Sequence, residues 1–247
     1  MTLSGVPGTF PRPGRWQKAT VTGIRRETAT AKTFRLTLPD PVPFLAGQHF
    51  IVRLTAPDGY RAQRSYSVAS APDGPGPGGT GSIELTVERL PDGEVSSFLH
   101  DVVMVGDQLE VRGPIGGWFV WRGDTPAVLI GGGSGLVPLM AMLRLARREG
   151  RADLLRLIVS VRRPGDLYYA GELPGPQTTV VYTRVTPPGW PRAAGRLSPG
   201  DLPAPLDPAA SGFICGSSGF ADAATGILQQ AGMETGRIRV ERFGPTG

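Results

Sequence analysis

The fold is decided by the stretch Ala127-Val128-Leu129-Ile130-Gly131-Gly132-Gly133-Ser134-Gly135. Its apolar residues predict a buried strand and its glycines a tight turn, because a helical pattern from Leu136 to Glu149 follows directly. The alternation continues toward the C-terminus, with further elements predicted at Leu154–Val161, Thr179–Val185, Gly212–Cys215 and Ile238–Arg242 (strands) and Phe220–Ala231 (helix). Strands that alternate with helices indicate a parallel sheet with covered faces.

The sequence before this stretch has a different period. Short β-branched runs are divided by Gly, Pro and Asp, and they predict strands at Ala19–Ile24, Thr33–Leu38, His49–Leu54, Arg64–Ala69, Ser82–Arg89 and Gln108–Arg112. Only one short helix is predicted among them, at Val95–Asp101, which indicates an antiparallel barrel or sandwich. We therefore predict an N-terminal extension (residues 1–15), an all-β domain (residues 16–123) and an α/β domain (residues 124–247).

Composition excludes several classes of function. The 247 residues carry a net charge of +5 that is dispersed rather than gathered into a basic stripe, so no nucleic-acid module is expected. The single cysteine, Cys215, excludes a four-cysteine iron–sulfur cluster, and with two histidines in the chain no metal site is predicted. No apolar run has membrane-spanning length and Met1 to Arg15 lack a signal-peptide core, so we expect a cytoplasmic protein without stable membrane insertion.

The first candidate site is the strand segment Arg64-Ser65-Tyr66-Ser67. Successive side chains of a strand point to opposite faces, so Arg64 and Tyr66 share one side. An arginine that binds a phosphate bidentately and a tyrosine that lies against an aromatic ring suit a flavin nucleotide. The alternative from the residues alone is an exposed arginine and a half-buried tyrosine on an ordinary strand.

Two glycine turns offer phosphate-binding geometry. Gly133-Ser134-Gly135 precedes a helix, and so does Gly93, and the backbone N–H groups at a helix N-terminus favour an anion. The first turn departs from the usual dinucleotide pattern because Pro138 stands where the last glycine is expected. A tight structural turn and a capped helix start are the alternatives; together, two such turns in differently built halves suggest two dinucleotides that meet between the domains.

In the order of its motifs the chain resembles the ferredoxin–NADP reductase superfamily, from about Trp16 to Gly247. The motifs are R-x-Y-S at Arg64–Ser67, the pyrophosphate turn at Gly93–Ser97, Gly-Pro-x-Gly at Gly113–Gly116, the nucleotide turn at Gly131–Pro138, Cys215-Gly216 and Glu241-Arg242-Phe243. The resemblance implies a six-stranded antiparallel β-barrel that binds FAD, followed by an α/β parallel-sheet domain that binds NAD(P)H. The chain departs from the oxygenase reductases that carry a plant-type iron–sulfur module, because its single cysteine cannot hold such a cluster, so a stand-alone reductase with no fused iron–sulfur domain is expected.

The resemblance assigns flavin contacts by position. Arg64 would bind the flavin phosphate, with Ser65 beside it; Tyr66 would stack on the isoalloxazine ring, and Ser67 would hydrogen-bond near N5. The pyrophosphate would lie against the turn and helix start formed by Gly93, Val95, Ser96 and Ser97, which favours FAD over FMN. Val87 and Arg89 match positions that line the adenosine half.

The reaction centre and the nucleotide site are assigned in the same way. Gly133, Ser134 and Gly135 would bind the nicotinamide nucleotide, with Ser134 between it and the flavin. Cys215 and Gly216 would face the nicotinamide, and Glu241 would lie beside it. Phe243 would cover the flavin ring, although the chain continues through Gly244–Gly247 where plant-type members end at the aromatic residue. Ser67, Cys215 and Glu241 are thus the catalytic candidates. From the residues alone Cys215 is equally a small buried hydrophobe, and Glu241 is equally an exposed carboxylate at a sheet edge.

Four arginines favour NADPH over NADH. Arg162 and Arg163 end a predicted strand where an NAD site usually places a carboxylate, and Arg184 and Arg196 resemble further basic positions of NADPH-dependent members. Asp166 is the residue nearby that argues for NADH.

The function expected is an FAD-dependent reductase that takes hydride from NAD(P)H, with NADPH favoured, and passes electrons to a separate acceptor protein. A ferredoxin, a flavodoxin, a haem protein or an oxygenase component could be that acceptor. The alternatives are a flavin-binding electron-transfer subunit that does not oxidise the nucleotide, and a ferric-chelate or free-flavin reductase. His49 and His100 are expected to be structural.

Overall fold

The computed structural model describes residues 14–72, 81–173 and 175–243. Almost all of the predicted N-terminal extension and the Gly244–Gly247 tail lie outside the described residues. The described chain forms two sheets, one antiparallel and one parallel, in the order predicted from the sequence. The exact boundary between the two proposed domains, at residues 123 and 124, stays a prediction.

The N-terminal sheet has six antiparallel strands: β1 Gln17–Arg26, β2 Ala31–Thr37, β3 His49–Thr55, β4 Arg61–Ser67, β5 Ser82–Glu88 and β6 Gln108–Ile115. Their spatial order is β4-β3-β6-β1-β2-β5, and a single bridge between Val68 and Leu85 brings the two edges together. The apolar residues of one face, among them Phe34, Phe50 and Leu85, fill the interior of this barrel. The six strands and the barrel are therefore confirmed.

One helix belongs to the barrel. Helix α1 (Glu94–Asp101) follows β5 and buries Val95 and Leu99 against the barrel core. Its backbone begins at the Gly93 turn, which lies beside the β4 edge of the barrel.

The C-terminal sheet has five parallel strands: β7 Ala127–Gly132, β8 Leu155–Val161, β9 Thr178–Tyr182, β10 Ser211–Gly216 and β11 Ile238–Arg242. Their order is β11-β10-β7-β8-β9. Helix α2 (Leu136–Arg148) belongs to the apolar cluster on one face and helix α3 (Ser218–Gln230) to the cluster on the other. Both faces of the sheet are thus covered, as the near-continuous apolar strands require.

Strand β9 is shorter than predicted. It ends at Tyr182 and not at Val185, because the N–H groups of Arg184 and Val185 both donate to the carbonyl oxygen of Arg162, at 3.0 and 3.2 Å. Two successive donors on one acceptor turn the chain away from the sheet. Arg184 therefore lies in the loop after β9.

The two halves share an apolar core. Phe119 and Trp121, from the segment after β6, belong to the same buried cluster as Leu139 and Leu143 of α2. The indole N–H of Trp121 donates to the carbonyl oxygen of Thr125 at 2.9 Å. This packing holds the glycine turn before α2 close to the β4 edge of the barrel.

Two further findings concern membranes and metals. The helices within the described ranges are all too short or too polar to cross a bilayer. In the same ranges, no three His, Cys, Asp or Glu side chains are placed to hold a metal ion together.

Candidate functional site

An open cavity of about 540 Å³ lies where the barrel edge meets the C-terminal domain. Its size is that of a site for a small ligand or cofactor. Strand β4 forms one wall, the Gly93 turn forms a second, and the C-terminal domain closes the third. The residues that line it include Arg64, Ser65, Tyr66, Ser67, Gly93, Val95, Ser96, Ser134, Glu241 and Phe243. Ten of the predicted site residues are thus brought together at one place.

The β4 wall combines a cation with an aromatic ring. Tyr66 is half-buried against the barrel core, and burial raises the pKa of its hydroxyl, against the opposing effect of the Arg64 charge. Arg64 is exposed, and its Nη1 donates to the carbonyl oxygen of Gln63 at 2.8 Å. Among the described residues no carboxylate forms an ion pair with Arg64, so its guanidinium remains free to bind an anion.

The turn before α1 requires glycine and offers free donors. A Cβ on Gly93 would lie 2.3 Å from Oγ of Ser96. That hydroxyl donates to the carbonyl oxygen of Gly93 at 3.0 Å and accepts from the N–H of Leu90 at 3.1 Å, so it shapes the turn. The N–H groups of the first helical turn, including those of Val95 and Ser96, have no intrahelical acceptor. They form a cradle for an anion.

Three predicted residues of this region differ from expectation in their placement. Val87 is 1% exposed inside the barrel, because alternate residues of β5 face the core, and Thr86 and Glu88 line the cavity instead. Arg89 forms an ion pair with Asp101 at 2.7 Å and lines a second cavity of about 360 Å³. The hydroxyl of Ser97 is directed to the carbonyl oxygen of Leu90, and Ser97 does not line the main cavity.

The nucleotide turn is pressed against β10. A Cβ on Gly135 would lie 2.1 Å from the carbonyl oxygen of Cys215, so only glycine permits this approach. Gly133 has φ of +57° and is exposed, with open space around its Cα. Ser134 between them lines the cavity, as does Val137 in the first turn of α2.

Glu241 is the buried acid of the site. Its Oε2 is buried and has no hydrogen-bond partner among the described residues, and burial raises the pKa of the carboxyl to about 7. An orphaned carboxyl oxygen on a cavity wall is costly unless a ligand or a proton satisfies it. This is the arrangement expected where a proton is held next to a bound ligand.

Cys215 lies behind Glu241 and not on the cavity wall. The two residues are paired in the parallel register of β10 and β11, and Cys215 is fully buried. Burial, together with the nearby Glu241 charge, raises the pKa of its thiol. The side chain is therefore a neutral thiol.

The end of the described chain closes the cavity. Phe243 is half-buried against the core of the C-terminal domain, and its N–H donates to the carbonyl oxygen of Gly216 at 2.9 Å. Gly216 itself packs closely against Phe220, since a Cβ on Gly216 would lie 2.7 Å from the Phe220 ring. Gly216 thus positions Phe243 rather than lining the cavity.

His49, which was expected from the sequence to be structural, lines the cavity. It faces Ser67 in the β3–β4 register, and burial lowers the pKa of its imidazole. The signal that could have found it is the strand register, because a residue opposite Ser67 must lie near the same ligand.

The four arginines of the nucleotide prediction lie away from this cavity. Arg162, Arg163, Arg184 and Arg196 are all exposed, and the first three follow the carboxyl ends of β8 and β9. Arg162 and Arg184 are brought together by their backbone hydrogen bond. None of the four forms an ion pair with a carboxylate within the described ranges.

Comparisons with known proteins agree with this geometry. A sequence profile of the oxidoreductase FAD-binding domain matches residues 18–120. The reductase subunit of an aromatic O-demethylase from Amycolatopsis sp. is 32% identical over an alignment of 252 positions, gaps included, that covers 96% of this chain and 72% of that protein. The chain belongs to the ferredoxin–NADP reductase superfamily.

Other members extend the comparison. The ferredoxin–NAD(P)+ reductase component of naphthalene 1,2-dioxygenase and salicylate 5-hydroxylase systems from Ralstonia sp. is 28% identical over an alignment of 246 positions, gaps included, that covers 95% of this chain and 71% of that protein. The FAD/NAD-binding domain of nitric oxide dioxygenase from Vibrio cholerae has the same fold, with a TM-score of 0.81, 24% identity, and coverage of 93% of this chain and 99% of that one.

Family membership fixes the cofactors and the class of enzyme. The protein is an NAD(P)H-dependent flavoprotein oxidoreductase whose cofactor is FAD. The cavity fits that cofactor. Its lining includes the Arg64 guanidinium, which has no carboxylate partner among the described residues, the half-buried Tyr66 ring and the Gly93 turn, and these groups suit the phosphates and the ring of a flavin. FAD supplies the ability to accept a hydride and to release electrons.

Proposed function

We propose that the protein takes a hydride from a nicotinamide nucleotide at the cavity between its domains and passes the electrons to a separate acceptor protein. The observation that carries this proposal is the convergence of Tyr66 and Ser67 of the barrel with Ser134 and Glu241 of the C-terminal domain on one cavity. Two ligands bound from the two sides would meet there. The protein holds the two ligands in alignment, because holding two reactants in the correct arrangement contributes much of the rate of a reaction between them.

The barrel residues bind and orient the flavin. Arg64 binds a phosphate through its free guanidinium, the N–H groups of Val95 and Ser96 bind the pyrophosphate, and the Tyr66 ring supports the flavin ring. Ser67 and His49, opposite each other on β4 and β3, offer hydrogen bonds to the polar edge of the ring.

The C-terminal residues act at the nicotinamide side. Ser134 lies on the turn that receives the nucleotide, and Glu241 holds a proton on its otherwise unpaired carboxyl near neutral pH. Phe243 excludes water from the ring until the nicotinamide takes its place. Cys215 acts through its backbone, since its carbonyl oxygen is the atom against which Gly135 of the nucleotide turn packs.

NADPH is the proposed nucleotide. The exposed guanidinium groups of Arg162 and Arg184 lie at neighbouring strand ends without carboxylate partners in the described part of the chain, and a 2′-phosphate suits such a pair. Arg163 and Arg196 are further candidates for the same phosphate.

The proposed acceptor is an oxygenase component or the ferredoxin that serves one. The relatives are named as reductase parts of a dioxygenase and hydroxylase system and of an O-demethylase, each of which needs electrons from a reductase. The chain spans less than three quarters of either relative, so the acceptor is a proposal for this chain alone.

Steady-state reduction of a dye such as ferricyanide tests the first half of this function. The FAD-loaded protein should reduce the dye with NADPH, and the rate should fall at least tenfold in a Glu241→Gln variant that keeps its FAD. An FAD-loaded protein that reduces the dye with neither NADPH nor NADH would contradict the proposal.

A further inference from the structure

We propose that Arg144 is a positioning residue for hydride transfer, which ties β5 of the barrel to α2 of the C-terminal domain and so fixes the spacing between the flavin wall and the nucleotide turn. This inference rests on the proposed function. Arg144 lies outside the cavity, and no motif selected it.

The Arg144 guanidinium has partners in both domains. Its Nη1 donates to Oε2 of Glu84 and to the carbonyl oxygen of Ala69, both at 2.9 Å and both in the barrel. Its Nε donates to Oε2 of Glu172 in the C-terminal domain, also at 2.9 Å. The side chains of Arg144 and Glu84 are only 15% and 11% exposed, so the charge-assisted bond between them is shielded from water, whereas the Glu172 side chain is 40% exposed.

Glu84 remains ionised at this junction. Burial acts to raise the pKa of its carboxyl, but the hydrogen bond from Arg35 and the charge of Arg144 outweigh it and hold the pKa below the usual value. If a buried carboxylate loses one of two arginine partners, the remaining arginine compensates its negative charge poorly. The junction is therefore strong only while Arg144 is in place.

A loop of the C-terminal domain reinforces the same strand. Tyr169 is buried in the left-handed region at φ of 55°, a conformation that non-glycine residues hold only when their surroundings impose it. Its hydroxyl bonds to Oγ1 of Thr86, its N–H donates to Oε2 of Glu27 at 3.1 Å, and the Arg144 guanidinium lies over its ring.

The contacts of Arg144 with Glu84 and of Tyr169 with Thr86 fall on one face of β5. Glu84, Thr86 and Glu88 alternate along the strand, and Thr86 and Glu88 line the cavity. The opposite face of the strand, with Leu85 and Val87, is packed in the barrel core. A cavity wall is thus held between the barrel interior and the C-terminal domain.

Helix α2 connects this junction to the nucleotide turn. Val137 lines the cavity, and Arg144 follows it by about two helical turns on the same face, roughly 10 Å along the axis. A rigid helix anchored at Arg144 therefore sets the position of Ser134 at its start. Loss of the anchor should change the alignment of the two ligands without removing any group that binds either of them.

The test compares Arg144→Met with Arg147→Met. Arg147 lies on the same helix and is partly buried, but its guanidinium bonds to Glu172 and Gln177, both in the C-terminal domain. For FAD-loaded Arg144→Met, stopped-flow reduction by saturating NADPH should be at least tenfold slower, with FAD content and the dissociation constant for NADPH within threefold of the parent. Arg147→Met should react within twofold of the parent.

Two readouts separate alignment from general damage. Reduction of Arg144→Met by dithionite, which needs no nucleotide site, should match the parent, and amide hydrogen exchange should accelerate at residues 167–173 and 84–88. Arg144→Lys keeps the positive charge, but a lysine cannot donate to all of these acceptors at once. Flavin reduction by NADPH should therefore be at least threefold slower in this variant than in the parent.

The outcomes are distinct. Parental rates in both Arg144 variants would overturn the positioning role, and so would equal slowing in Arg147→Met. If Arg144→Met loses its FAD, flavin reduction in Arg144→Lys is the test: a rate at least threefold below the parent supports the positioning role, and the parental rate overturns it. A parent protein that neither NADPH nor NADH reduces would contradict the proposed function instead.

Discussion

Arg64 is the single residue on which flavin binding is expected to depend most. Replacing it with alanine removes a charge-assisted phosphate contact, which should weaken FAD binding by about 2 kcal/mol or more, about 30-fold. Arg61→Ala on the same strand is the matched control, because Arg61 is equally exposed but lies outside the cavity. Fluorimetric titration of the apoprotein with FAD measures both, and equal affinity in the two variants would contradict the role of Arg64.

Tyr66 is expected to affect the flavin's properties more than its binding. In Tyr66→Leu the phosphate contacts of Arg64 and the Gly93 turn remain, so most of the FAD should be retained. The visible absorption bands and the midpoint potential should shift, because the aromatic support of the ring is lost. An unchanged spectrum at full FAD occupancy would argue against stacking.

The raised pKa of Glu241 predicts how the free energy of unfolding depends on pH. The carboxyl has a pKa of about 7 in the folded protein and about 4.5 unfolded. The protonated form of Glu241 therefore contributes fully to the free energy of unfolding below pH 4.5. This contribution is lost as the pH rises through 7, and the loss amounts to up to about 3 kcal/mol. Glu241→Gln should remove this loss.

Chemical denaturation of the apoprotein between pH 5 and 8 measures that effect. The variant should gain stability relative to the parent as the pH increases through this range. A constant difference between the two proteins would show that Glu241 is not buried as an unpaired acid.

At the scale of elements, the contact between the nucleotide turn and β10 is expected to tolerate no side chain at Gly135. Gly135→Ala places a methyl group against the carbonyl oxygen of Cys215 and should cost about 2 to 3 kcal/mol of unfolding free energy. Gly226→Ala, within α3 and with open space around it, should instead stabilise the protein by about 1 kcal/mol. Thermal unfolding of both variants checks the contrast, and similar effects at the two positions would contradict it.

The sequence predicted the elements well because each has a local cause. Period-two runs such as Thr33–Leu38 and the strand, glycine and helix order from Ala127 to Glu149 depend only on neighbouring residues. The predicted end of β9 was wrong because it is set by a shared acceptor, the carbonyl oxygen of Arg162, in the segment that follows β8. The placement of Val87 differed for a similar reason, since only the pairing of β5 decides which of its faces meets the core.

At the scale of the whole molecule, what the sequence could not predict lies between the domains. Arg144, Glu84 and Tyr169 are far apart in the chain and belong to no motif, so only the packed structure brings them together. His49 became part of the candidate site through the register of β3 and β4. Motif order was sufficient to name ten of the residues that line the cavity, whereas the proposed spacing between its two walls depends on these long-range contacts.

Nucleotide preference is also a property of the assembled domain. Arg162→Ala or Arg184→Ala should raise the KM for NADPH at least tenfold, about 1.4 kcal/mol, and leave the KM for NADH nearly unchanged. Arg156→Ala is the control, because Arg156 lies near the start of β8 whereas Arg162 follows the carboxyl end of that strand. Equal losses for both nucleotides, or a parent that already prefers NADH, would show that these arginines do not read a 2′-phosphate.

The central claim is that one chain binds FAD and delivers hydride to it from a nicotinamide nucleotide. The visible spectrum of the purified FAD-loaded protein, recorded without oxygen before and after one equivalent of NADPH, tests it most directly. We expect oxidised flavin bands that bleach when NADPH is added, and a slower loss of the same bands with NADH. A protein that binds no flavin, or whose flavin bands persist with both nucleotides, would contradict it.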